Sequence, residues 1–121
     1  MGDPKQLARN LELRRKIDAV GMLIAGGLVD VRDLAKVDQV AGAVRRLLDD
    51  PARAALAKRR GFDIIEARRR HAGGDRHFGE TRHLAAAGYH VLQAGLDPRE
   101  VDVATVVGAT ATVLQANGEG A

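Results

Sequence analysis

The 121-residue chain has one domain's length, is 45% apolar and only 2% aromatic, and contains neither Cys nor Ser. That composition excludes disulfides, thiolate metal sites and the commonest covalent nucleophiles, and leaves Leu, Val, Ile and Ala to build any core. The formal net charge of +3 is unevenly spread: Arg45 to His83 holds eleven Lys or Arg against six Asp or Glu, whereas the segment from Leu84 onward is acidic. Such asymmetry marks one side of a molecule as suited to a polyanion or an acidic partner.

In chain order, the punctuation is that of helix–helix junctions. Asp3-Pro4 and Asp50-Pro51 each supply a capping side chain followed by a proline at the first helical position. A second pattern, Gly then an apolar residue then Asp, recurs at Gly27, Gly61 and Gly95. Glycine suits the left-handed residue that ends a helix, and the aspartate caps the next one. At Asp63 and Asp97 a Glu three positions on completes a capping-box pattern.

These boundaries predict helices near 3–25, 30–49, 51–60, 63–72, 75–94 and 97–116. In the second, Leu34, Val37, Val40, Ala41, Val44 and Leu47 recur every three or four residues, an amphipathic helix. Leu7, Leu11, Ile17, Val20 and Ile24 repeat the pattern in the first, and Phe78, Ala85, Tyr89 and Leu92 in the fifth; its aromatics, like Phe62 at a helix start, fall at positions that look like core. The expected fold is all-α, a compact bundle of five to six helices in one domain spanning 1–121, with a basic middle at 45–83 and a frayed tail at 117–121. The likeness of LIAGGLVDVRDL to LQAGLDPREV suggests two similar helical hairpins joined by that middle. Small residues crowd the last two helices and fit close packing within the chain or a self-association face.

The longest uncharged apolar run, Ala19 to Val29, falls short of the roughly 20 residues of a membrane helix. It lies behind Glu12 and Asp18, unlike a signal peptide. The expectation is a soluble, cytoplasmic protein with no cofactor.

The candidate binding residues are Arg45, Arg46, Lys58, Arg59, Arg60, Arg68, Arg69, Arg70, Arg76 and Arg82. Clustered guanidinium groups bind phosphate oxygens two at a time, so the partner expected is a nucleic-acid backbone or an acidic protein. Paired short helices meeting at Gly61 leave a helix-turn-helix open. Its second helix, IIEARRRH, however lacks the amide and hydroxyl side chains that read base edges. His77, Glu80 and His83 form half of a carboxylate-bridged metal motif, but an ideal helix sets His77 and His83 about 120° apart. With no nucleophile, no phosphate loop and no complete metal set, the chain reads as non-catalytic.

In size, in an all-helical pattern and in Arg clusters such as Arg59, Arg60, Arg68, Arg69 and Arg70, the chain resembles the small helical subunits of class 1 CRISPR ribonucleoprotein complexes. That resemblance implies copies stacked along a larger subunit and touching nucleic acid without sequence preference, with the Ala/Gly-rich helices as subunit contacts. Two alternatives are a viral or secretion-type structural adaptor that binds an acidic protein, and a metal-dependent enzyme using His77, Glu80 and His83.

Overall fold

The structure, a computed structural model, describes residues 3–70 and 80–118. It is an all-α bundle of five helices: α1 (Pro4–Ala25), α2 (Leu34–Leu48), α3 (Pro51–Arg70), α4 (Thr81–Gln93) and α5 (Val103–Ala116), with no strand among the described residues.

Aspartates begin four of the five helices, and Glu80 precedes α4 without a side-chain cap bond. Asp3 accepts from the Lys5 amide at 3.1 Å, Asp33 from Lys36 at 3.2 Å, Asp50 from Ala52 at 3.0 Å, and Asp102 from the Thr105 amide at 3.1 Å and its hydroxyl at 2.6 Å. Each satisfies an amide that the helix itself leaves unpaired.

Two of the three glycine junctions have the expected form. Gly27 (φ 119°) and Gly95 (φ 90°) both end a helix in the left-handed region. In each case the next residue returns its amide to the last turn, Leu28 to the Leu23 carbonyl at 2.9 Å and Leu96 to that of Val91 at 3.3 Å, and buries its side chain, as the Schellman arrangement requires. The helices that follow start later than 30 and 97. A turn intervenes each time, so the caps are Asp33 and Asp102 rather than Asp30 and Asp97. The two junctions are alike, as their sequences are, but the closest helix pairings run between α3 and α5 and between α1 and α4. The chain is thus not two self-contained hairpins.

The third junction does not exist. The helices expected at 51–60 and 63–72 form one continuous 20-residue helix, α3, which also removes the helix-turn-helix and the Asp63/Glu66 capping box. Gly61 is a packing residue: it is buried, and a methyl group there would overlap the Ala104 carbonyl oxygen. Reciprocally, a methyl group on Gly108 would overlap the carbonyl oxygen of Ala57. Both helices therefore present a small residue, three spacers and a glycine, Ala57/Gly61 on α3 and Ala104/Gly108 on α5, letting their backbones touch. Gly88 does the same for α4 against the Lys16 backbone of α1. The small residues of the last two helices are spent within the chain, except for Ala86 and Ala116, which are exposed.

Around this crossing the core assembles. Helix α5 contains no charged residue and is buried on nearly all sides, the signature of a helix wrapped by others. Its Thr110 is fully buried and donates its hydroxyl to the Val106 carbonyl at 2.8 Å, which removes the cost of an unsatisfied polar group. The α2 residues Val37, Val40, Ala41, Val44 and Leu47 are buried as their spacing predicts. In α1 only the second half joins the core; residues 3–12 are exposed throughout, Leu7 and Leu11 included. Asn117 caps α5. Residues 119–121 of the tail expected at 117–121, residues 71–72 of the helix expected at 63–72 and residues 75–79 of the helix expected at 75–94 lie outside the described residues.

Candidate nucleic-acid interface

Helix α3 concentrates the charge. It carries seven Lys or Arg against Asp63 and Glu66, a net +5, so the rest of the chain is −2. At about 100° per residue, its core side is formed by Ala57, Gly61, Ile64 and Arg68, and its opposite side by Arg59, Asp63 and Arg70.

The structure divides the expected binding residues into two groups. Arg60 spans the α3–α5 crossing, donating to the Thr112 hydroxyl at 3.2 Å and the Gln115 amide oxygen at 2.6 Å. Arg68 donates to the Ala25 carbonyl at 3.2 Å, satisfying one of the unpaired carbonyls at the end of α1. These two side chains are tied to the fold. Three others hold exposed ion pairs: Arg45 with Asp49 at 3.5 Å, Arg70 with Glu66 at 3.6 Å and Arg82 with Glu80 at 2.9 Å. Such pairs contribute little to stability, about 0–1 kcal/mol, and a phosphate can displace them. Arg59 and Arg69 stand exposed with no ion pair among the described residues. Lys58 is exposed as well; it lies near enough to Asp102 to help lower that carboxyl, which is lowered chiefly by the Thr105 hydroxyl. Arg76 lies outside the described residues.

Sequence spacing did not reveal Arg53. It stands alone in the first turn of α3, so no cluster drew attention to it, yet with Arg46 of α2 and with Leu47, Thr112, Val113 and Asn117 it lines an open cleft of about 250 Å³. At about 100° per residue Arg53 lies about 160° around α3 from Arg69 and about 120° from Arg59, so Arg46 and Arg53 form a second basic patch on the other flank of α3.

The aromatic residues are the larger surprise. Tyr89 and Phe62, read as core, are 51% and 55% exposed. Each has an ammonium group 5.9 Å from its ring centroid, Lys16 over Tyr89 and Lys58 over Phe62. For Phe62 the reason is the missing junction: in an unbroken α3 it falls on the flank rather than at a helix start. The glycine and alanine crossing supplies the contact that a buried aromatic would otherwise have made.

Histidine chemistry does not assemble. Among the described residues no group of three His, Asp or Glu side chains is placed to hold a metal ion. Glu80 pairs with Arg82, His83 is half-buried, and His77 lies outside the described residues. His90 instead sits 2.7 Å from Asp38, linking α4 to α2.

The most deeply placed charge is a structural one that sequence reading took for a helix cap. Asp97, 6% exposed, accepts from the Arg99 amide at 2.9 Å and from Arg15 at 3.0 and 3.1 Å, and Arg15 in turn holds Glu12 at 2.9 Å. The Arg99 amide above all, then the Arg99 and Arg15 guanidinium groups, hold its carboxyl down at about 2. No helix of the described residues is long and apolar enough to cross a membrane. No protein-family model matches the chain, and comparison with curated proteins and with solved structures finds no match.

Proposed function

We propose that the protein is a non-catalytic helical subunit of a larger assembly that contacts a nucleic-acid backbone without sequence preference, in the manner expected of a ribonucleoprotein small subunit of the class 1 CRISPR type. The observation that carries this reading is the +5 charge of α3, with Arg59 and Arg69 exposed and without an ion pair among the described residues. Guanidinium groups already committed to carboxylates would have to exchange partners, whereas these two need only shed water. Arg46 and Arg53 line a separate basic cleft on the other flank of α3. Base reading is not part of the proposal, because the exposed side of α3 carries no Asn, Gln, Ser or Thr. The contact with a neighbouring subunit is supported by the first three turns of α1, where Leu7 and Leu11 are 57% and 61% exposed. Isolated exposed leucines are ordinary, but two on one face of an uncovered helix suit docking.

The test is retention of labelled oligonucleotides as a function of salt. Phosphate contacts predict a log–log slope of about −0.7 to −0.9 per phosphate engaged. Arg59→Glu with Arg69→Glu should weaken binding by roughly tenfold or more at ~100 mM salt and flatten the slope by about two, with the helical circular dichroism unchanged. Arg68 is unsuited to this test, because its bond to the Ala25 carbonyl would confound binding with folding. No retention at ~50 mM salt removes the nucleic-acid reading and leaves an acidic protein as the partner class.

A further inference from the structure

Resting on the reading above, we infer that the ligand of α3 is single-stranded nucleic acid, with an unpaired base stacked on Phe62. The ring is 55% exposed on a helix whose net charge is +5. Lys58, Phe62 and Arg69 lie within about 40° of one another around the helix axis, so they form one stripe with the ring between two cations. Lys58 and Arg69 stand about 16 Å apart along that axis, the length of four to five stacked nucleotides at 3.4 Å each. Two acids border the stripe: Glu66, one turn beyond the ring, which Arg70 holds at 3.6 Å, and Asp102, close enough to Lys58 to feel its charge.

A charged helix without an exposed ring would suit a duplex equally well, since duplexes offer phosphates and keep their bases stacked. An exposed aromatic between cations gains a partner where a base face is available, and base–aromatic stacking is stronger than a cation–π contact at an exposed site. Lys58 now lies 5.9 Å from the ring centroid, and exchanging it for a base frees the ammonium to meet a phosphate.

The chain contains no Trp, so Phe62→Trp places a single reporter at the platform. Oligothymidine of about twelve nucleotides should quench its emission at saturation, while a duplex of equal length binds more weakly and leaves the emission unchanged. Phe62→Ala should weaken single-strand binding roughly five- to a hundredfold with the salt slope and the helical dichroism retained, and Phe62→Trp should restore it. Binding of the wild type with neither quenching nor an effect of Phe62→Ala, or equal affinity for duplex and single strand, would overturn the platform while leaving the basic face intact. Absence of binding by wild-type protein at ~50 mM salt overturns both.

Discussion

Gly108→Ala is expected to destabilise the protein by roughly 2–4 kcal/mol, and Gly61→Ala by a similar amount, lowering the thermal midpoint by about 10 °C. An alanine in mid-helix ordinarily gains about 1 kcal/mol over glycine. Here the added methyl would meet the carbonyl of Ala57 or of Ala104, and a backbone atom cannot rotate aside as a side chain can. The helices must separate, and α5 then loses contact along its length. Separation is needed only once, so the double variant should cost less than the sum of the two singles. Gly21→Ala is the control: nothing lies within 4 Å of its would-be methyl group, and it should stabilise α1 by about 0.5–1 kcal/mol. Urea denaturation followed by circular dichroism measures all four, and a neutral Gly108→Ala would refute the backbone contact.

Asp97 governs the response to acid. Its carboxyl titrates near 2 in the folded protein, below its ordinary 3.8, so folding favours the charged form. That contribution is fully present above about pH 4 and is lost as pH falls from about 4 to 2. The difference corresponds to about 2 kcal/mol. Asp97→Ala should cost about 2–4 kcal/mol at pH 7, because it strands the Arg99 amide and leaves the half-buried Arg15 guanidinium with the exposed Glu12 alone. Asp97→Asn keeps an acceptor for the amide and should cost less. In both variants the loss of stability between pH 4 and 2 should be shallower than in the wild type; an unchanged acid profile would place the sensitivity in another carboxylate.

What was legible in the sequence follows from how local each signal is. The α2 face was readable because Val37, Val40, Ala41, Val44 and Leu47 bury against whatever lies beneath, whichever helix that is. The ends at Gly27 and Gly95 were readable because a left-handed residue and its returning amide are set by the chain itself. Gly61 was misread because the same residue type serves two purposes, and which of them applies depends on Ala104, 43 positions away. The basic face was legible as a segment but not as a surface. That Arg60 and Arg68 are structural, and that Arg46 and Arg53 line one cleft, are properties of helix packing. The exposure of Phe62 had a local clue, its neighbours Lys58, Arg59 and Arg60 on an Ala-rich helix, but the supposed break at Gly61 concealed it.

Helix α5 follows the other four in the chain and packs on α3 above all, then on α2 and α1. Its partners are far away in sequence: Arg60 reaches Thr112 across 52 positions and Gln115 across 55. A ribosome adding about 5–20 residues per second thus leaves the sides of α2 and α3 that receive α5 uncovered for several seconds before α5 exists. During that interval the amphipathic α2 has no α5 to cover it. Folding must wait for α5 and close long loops at one stroke, which makes it slow for a helical protein.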